Sequence, residues 1–241
     1  MTSFKDRMRN RGFNTSDFRT FEHQGIILPE IVDETTESGR TYITPEGNRY
    51  PSITTVLSIN SKDAIAKWRK RVGEEEANRI SRIASERGTR IHEMCEDYLF
   101  NRYSEGKEVP NVANDRDNFL KIKRILDKNV GKVFALEVPL YSDTLEVAGR
   151  TDLIAEWLGS VAVIDFKTAT KPKEEKWIQN YFQQGSGYCK MWEERVGWGI
   201  ETIVIIIAVD NNPAQVFVKR RDDYLPDLIE TREKYRKVYG R

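Results

Sequence analysis

The run Val161-Ala162-Val163-Ile164-Asp165-Phe166-Lys167 is an apolar segment that ends in a carboxylate and an amine two residues apart. In a β-strand, alternation puts Asp165 and Lys167 on one face, shared with Val161 and Val163. A second carboxylate, Asp152, lies in the preceding apolar segment, Val147 to Trp157. If Gly159-Ser160 forms a two-residue turn, Leu158 faces Val161, Asp152 falls opposite Lys167, and Ile154 falls opposite Asp165. Both carboxylates and the amine then converge on one largely apolar face. A three-residue turn would flip Asp152 away. Charges on such a face are costly unless paired or bound to a metal. Two chemistries satisfy that demand: a cross-strand Asp–Lys ion pair at a sheet edge, or a metal site. Two hard carboxylate ligands suit Mg2+ or Mn2+, which activates a water and neutralises a phosphate. A lysine beside the metal stabilises charge on a phosphoryl oxygen or assists deprotonation of the water.

Two helical features border this cluster. His92, one of only two histidines, shares a helix face with Gly88, Cys95 and Leu99. Gln184 and Tyr188 form an i,i+4 pair on the face of Trp177 and Tyr181. In isolation these are a satisfied core or surface histidine and a core-facing aromatic stripe with a glutamine at its rim.

The elements that must position these groups follow from periodicity. Phe134 to Tyr141, Val147 to Trp157 and Val161 to Thr168 form a β-meander. A helix over Glu174 to Arg195 follows, then the apolar strand Thr202 to Val209, the strand Gln215 to Val218, and a terminal helix over Asp223 to Tyr239. Upstream, Tyr42-Ile43-Thr44 and Asn48-Arg49-Tyr50 flank Pro45-Glu46-Gly47 as a hairpin. Ser52 caps a helix over Ile53 to Ile59. Two helices over Ala64 to Leu99 break near Gly73, the second carrying Ile80, Ile83, Ala84, Ile91, Met94, Cys95 and Tyr98 as its apolar stripe. Another helix runs from Asp115 to Lys128. Residues 21–40, with five acids against Arg40, read as an irregular connection. The order of elements is that of an α/β sandwich, not a doubly wound nucleotide fold.

Composition bounds the rest. The 241 residues favour one large domain, and 39 Lys+Arg against 38 Asp+Glu give a net charge of +1 by cancellation, so any binding face is a local patch. No apolar stretch approaches the ~20 residues of a membrane span. Cys95 and Cys189 alone make neither a disulfide scaffold nor a thiolate metal cluster, which points to a reducing compartment. Lys5, Arg7, Arg9, Arg11 and Arg19 make the N-terminus a basic arm without the apolar core of a signal peptide. Its composition is compatible with a mitochondrial transit segment, although Asp6 and Asp17 count against one; a cytoplasmic location is expected.

In order along the chain, Arg87-Gly88-Thr89-Arg90-Ile91-His92, Gly149-Arg150-Thr151-Asp152, Asp165-Phe166-Lys167-Thr168 and Gln184-Gly185-Ser186-Gly187-Tyr188 resemble the four-motif signature of RecB-type nucleases of the PD-(D/E)xK superfamily. The upstream Tyr50-Pro51-Ser52-Ile53-Thr54-Thr55-Val56-Leu57 resembles the branch that includes mitochondrial genome maintenance exonucleases and their phage relatives. The resemblance implies a restriction-endonuclease-like α/β core, a central mixed sheet flanked by helices, with helical N-terminal additions before a core of about 87–220. It implies phosphodiester cleavage with Mg2+ or Mn2+ held by His92, Asp152, Asp165 and the Phe166 carbonyl. Lys167 becomes the catalytic lysine, and Gln184 and Tyr188 support the active site. Glu137 occupies a place where relatives often carry a glutamate, and a surface role is the equal alternative. With two cysteines, no iron-sulfur cluster is expected.

Lys62 to Arg90 carry nine Lys/Arg against five acids, with Trp68 inside Lys67-Trp68-Arg69-Lys70-Arg71. Together with Arg87, Arg90 and Arg150 this is the expected DNA surface, cations meeting phosphates and an aromatic stacking on an unpaired base. The alternative is a solvated helix face anchored by its tryptophan. The expected activity is a metal-dependent DNA exonuclease preferring single strands with a free end, in a phage-type replication, recombination or repair system with a single-strand annealing or replication partner. The rivals are a catalytically silent DNA-binding or recombination-accessory protein and a nonspecific endonuclease.

Overall fold

The computed structural model describes residues 14–36 and 39–240. Lys5, Arg7, Arg9 and Arg11 of the basic arm lie outside them. Arg19 is packed onto the body, its Nη1 donating to the Asp127 carbonyl at 2.8 Å while the guanidinium lies 4.5 Å from the Phe21 ring centre. Phe18 and Phe21 are themselves buried.

Strands β1 (Val32–Thr36), β2 (Gly39–Ile43) and β3 (Arg49–Pro51) pair antiparallel in that order. The β2–β3 hairpin is the expected one. β1 is a correction, since this stretch reads as an irregular connection. Its side chains are exposed on both faces, so it lacks the period-2 signal of a half-buried strand and is held by its backbone ladder to β2. The N-terminal addition is thus part sheet as well as part helix.

Helix α1 (Ile53–Leu57) begins where expected, Ser52 Oγ accepting from Thr55 N–H at 3.1 Å. Helices α2 (Lys62–Val72) and α3 (Glu74–Leu99) break at Gly73, whose φ of 88° suits glycine. The apolar stripe of α3 divides: Ile91, Met94, Cys95, Tyr98 and Leu99 are buried, whereas Ile80, Ile83 and Ala84 are exposed. That departs from the single stripe which periodicity implies, because the first half of α3 runs beside α2 and away from the sheet.

After α4 (Ala113–Asn129) come β4 (Val130–Ser142), β5 (Val147–Trp157) and β6 (Ser160–Ala169), the expected meander. A short helical turn, Glu175–Trp177, precedes α5 (Gln179–Val196), so the regular helix starts later than its sequence pattern implies. β7 (Thr202–Val209), β8 (Gln215–Arg220) and α6 (Leu225–Tyr239) complete the chain. The sheet order is β4-β5-β6-β7-β8, antiparallel except for the β6–β7 pair, which α5 connects as a crossover. One face buries Leu153, Ile164 and Phe166 against Ile91, Met94, Phe119 and Ile122 of α3 and α4. The other buries Ile154, Val163 and Ile205 against Ile53, Tyr188, Trp192 and Leu228 of α1, α5 and α6. This is the expected mixed α/β core, a central sheet flanked by helices.

The β5–β6 register corrects the expected turn. Trp157 pairs with Ser160, Ile154 with Val163 and Leu153 with Ile164. The turn residues are therefore Leu158 and Gly159, with φ of 52° and 88°, the left-handed pair that a tight hairpin requires. Relative to a Gly159-Ser160 turn, every partner shifts by two. Because side chains alternate with period two, that shift leaves each on its original face. One step beyond Leu153–Ile164, Asp152 comes opposite Asp165 rather than Lys167.

Candidate active site

The convergence of Asp152, Asp165 and Lys167 thus survives the changed register. Asp165 Oδ2 forms an ion pair with Lys167 Nζ, and Asp152 Oδ2 accepts the Phe166 N–H at 2.7 Å. Asp165 is 1% exposed and Asp152 8%, so neither carboxylate is solvated as surface groups are.

α3 supplies the third element. Its buried half seats His92 over the strand ends, with Nδ1 3.5 Å from Asp152 Oδ2 and the ring edge-on to Phe166 at 6.1 Å between centres. Glu137 enters from β4, where Leu136 pairs with Leu153 and Val138 with Thr151, so Glu137 lies beside Asp152. Its φ of 53° is unusual for a non-glycine in a strand, and Arg150 Nη1 clamps its carbonyl at 2.5 Å. His92, Glu137 and Asp152 each offer a ligand atom, all within 4.8 Å of one another.

The electrostatics show why these groups belong together. Burial opposes a charge on His92, but Asp152 and Asp165 outweigh it and raise its pKa to about 9. Burial together with the Asp152 charge pushes Glu137 up to about 7. Burial and the same neighbour push Asp165 up to about 6, against the pull of Lys167. Asp152 is held below the ordinary carboxylate range, burial being overcome by His92 and Lys167. Lys167 is raised despite burial by Asp165 and Asp152, so it carries its charge at neutral pH. Three carboxylates gathered around one imidazole and one ammonium leave an excess of negative charge. An imidazole nitrogen with carboxylate oxygens is a donor set that could hold a divalent metal ion.

α5 braces the site from the other side. Gln184 Nε2 donates to Tyr188 Oη at 3.1 Å, and both residues are buried. Burial raises the Tyr188 pKa far above its usual range, so it stays a neutral phenol. Its ring lies over Gly149, where a Cβ would come within 2.8 Å of Tyr188 Cε1. The two glycines between Gln184 and Tyr188 serve close packing as well: a Cβ at Gly185 would meet Ile203 Cγ2 at 2.3 Å, and one at Gly187 would meet Ile53 Cδ1 at 2.2 Å.

Of the expected DNA-contacting residues, Arg87 pairs with Asp210 at 2.6 Å, Arg90 with Asp115 at 2.5 Å, and Arg150 with the Glu137 carbonyl. Arg69 is bound by Glu74 and Asn78. Lys67, Lys70 and Arg71 project from α2 into solvent, and Trp68 is half-buried. A cleft of about 460 Å³ opens beside the cluster, lined by Arg40, Gly88, Thr89, His92, Glu93, Glu96 and Glu137. Sequence reasoning does not find Arg40 in this role. Only its place two residues before Tyr42 in the hairpin gives any signal.

The fold and the cluster define an α/β domain with a carboxylate–histidine–lysine centre at the ends of adjoining strands. No family model matches the chain. It is similar to Mitochondrial genome maintenance exonuclease 1 of Homo sapiens, at 29% identity over 168 residues, covering 65% of this chain and 48% of that protein. The chain spans about half the length of this curated relative. A crystal structure from Eubacterium rectale that carries an inferred exonuclease name aligns with a TM-score of 0.39 and 12% identity, covering 62% of this chain and 68% of that one. The chain is related in sequence to an exonuclease.

Proposed function

We propose that this protein is a divalent-metal-dependent deoxyribonuclease that removes nucleotides from the ends of single-stranded DNA. The observation that carries the reading is the meeting of Asp152, Asp165 and Lys167 with His92 and Glu137, five residues from four separate elements. A set of buried ionisable groups from distant parts of the chain is costly to assemble without a ligand to justify it.

His92, Asp152 and Glu137, whose ligand atoms already lie together, would hold Mg2+ or Mn2+, with Asp165 and the Phe166 carbonyl as the further ligands. When bound, the metal lowers the pKa of a water and neutralises phosphate charge. Lys167, kept cationic by Asp165 and Asp152, stabilises the charge that builds on the phosphoryl oxygen. Gln184 and Tyr188 hold α5 close to β5 at Gly149, three residues before Asp152. The exposed cations of α2 contact the phosphates of the incoming strand, with Trp68 beside them. The setting is phage-type DNA recombination and repair, in the host cytoplasm.

Digestion of end-labelled linear single-stranded, linear duplex and circular single-stranded DNA tests this, each with Mg2+, with Mn2+ and with EDTA. Loss of the linear single strand with either metal, sparing the circle and suppressed by EDTA, is the expected result. Cleavage of the circle would make the protein an endonuclease. An undegraded set in every metal would leave a DNA-binding protein that does not cut.

A further inference from the structure

The cleft beside the catalytic cluster is walled by Glu93, Glu96 and Glu137, a surface that repels a phosphodiester backbone. The same cleft is lined by Arg40, the one Lys or Arg on it among the described residues. We propose that Arg40 is the phosphate clamp of the cleft, its guanidinium gripping the non-bridging oxygens of a DNA phosphate and holding the strand against the catalytic cluster. The inference rests on the deoxyribonuclease reading and deepens it by naming what draws the substrate into an acidic cleft.

Three observations support the clamp. Arg40 is rigidly placed. Its carbonyl accepts the Ser52 N–H at 2.8 Å, and Ser52 bridges Ala148 at the start of β5, the strand that carries Asp152. The preceding Gly39, at φ 111°, lies so close to Thr55 that a Cβ would come within 2.7 Å of Thr55 Cγ2, so β2 is pressed onto α1. The base of the arginine is therefore tied to the frame of the active site, as a positioning contact requires.

Its guanidinium is also available. The Arg40 side chain is 49% exposed, and its ion-pair partner Asp33, itself 37% exposed, stands 3.6 Å away. Such an exposed, long pair contributes little and exchanges readily for a better acceptor. The neighbouring Tyr42 hydroxyl, and after it the Asp33 charge, keep Arg40 firmly cationic. Finally, the planar fork of arginine matches two phosphate oxygens at once, which a lysine ammonium does not. The other expected DNA-contacting arginines near the site, Arg87, Arg90 and Arg150, already hold short contacts to Asp210, Asp115 and the Glu137 carbonyl.

The test compares Arg40→Ala and Arg40→Lys with Arg49→Ala, which removes a cation from the same small sheet where it pairs with Glu34 outside the cleft. Matching melting temperatures establish that all three fold. Two quantities are read: KM and kcat on linear single-stranded DNA, and the salt dependence of binding to a fluorescent oligonucleotide in EDTA. Arg40→Ala should raise KM roughly tenfold, the loss of a charged hydrogen-bonded contact. It should also flatten the log–log salt slope by about 0.7, one single-strand phosphate contact. Arg40→Lys should recover the slope but only part of the KM, and Arg49→Ala should match the wild type. An Arg40→Ala protein with wild-type KM and slope would overturn the clamp. So would a fall in kcat alone, or an equal loss in Arg49→Ala. If the wild type binds DNA but never cuts it, the deoxyribonuclease reading fails while the salt slope still decides the clamp. If it does not bind DNA, both fall.

Discussion

Helix α3 is one unbroken rod of 26 residues, about 39 Å long, yet its two halves have different surroundings. From Ile91 onward its apolar side chains are sealed against the sheet and α4, and that half carries His92 to Asp152 in the candidate active site. Before Ile91 it lies alongside α2, with Ile80 and Ile83 at 38% and 46% exposure. Hydrophobic residues at helical spacing occur in both halves, so the pattern alone does not decide burial. What decides it is whether a sheet lies beneath. The body half is a positioning device whose rigidity aims a histidine, and the outer half with α2 is a basic arm that adds little to the core.

That contrast can be broken in several ways. The largest effect belongs to the body: Asp152→Asn removes the charge that holds His92 and acts on Glu137. It should lower cleavage of end-labelled DNA by about 10²–10³-fold, and a variant within threefold of wild type would count against the site. Next, Ile91→Ala should cost about 2–5 kcal/mol in urea denaturation, the cost of a cavity under a fully buried side chain. Gly185→Ala follows. Its Cβ meets Ile203 Cγ2, on a stiff β-branched side chain that is fully buried, so overpacking of about 1–3 kcal/mol outweighs a helix-propensity gain of about 1 kcal/mol. A fall of up to about 8 °C in melting temperature is expected. Smallest is Ile83→Ala on the outer half, which should stay within about 0.5 kcal/mol of wild type. A cost there like that of Ile91→Ala would show that the outer half packs as the inner half does.

Much of the fold was legible because its core strands are apolar and its turns are marked by Gly, Asn and Pro. The site was legible in part. Alternation together with a two-residue turn brings Asp152, Asp165 and Lys167 to one face, and a shift of two in register leaves them there, whereas a shift of one moves Asp152 to the opposite side. The β5–β6 turn sits one residue earlier than Gly159-Ser160 implies, because Leu158 takes a left-handed conformation that leucine rarely adopts. Glu137 is placed by a φ of 53° within β4, for which its sequence carries no signal. β1 escaped because an exposed strand is held by backbone pairing and its side chains do not alternate, and Arg40, on the neighbouring β2, carries no motif that separates it from other surface arginines.

On the proposed reading the body half carries the chemistry, and the exposed cations of α2 help to hold the strand outside the cleft. Single-turnover cleavage at saturating DNA separates the two roles, comparing Lys167→Ala with the triple variant Lys67→Ala/Lys70→Ala/Arg71→Ala. Lys167→Ala should bind DNA normally and lose about 10²–10³-fold in rate. The triple variant should keep the wild-type rate within about twofold, while its binding loses up to about 0.7 in log–log salt slope for each phosphate contact removed. An arm variant whose saturated rate falls as far as that of Lys167→Ala, or a Lys167→Ala protein that cuts at the wild-type rate, would contradict it.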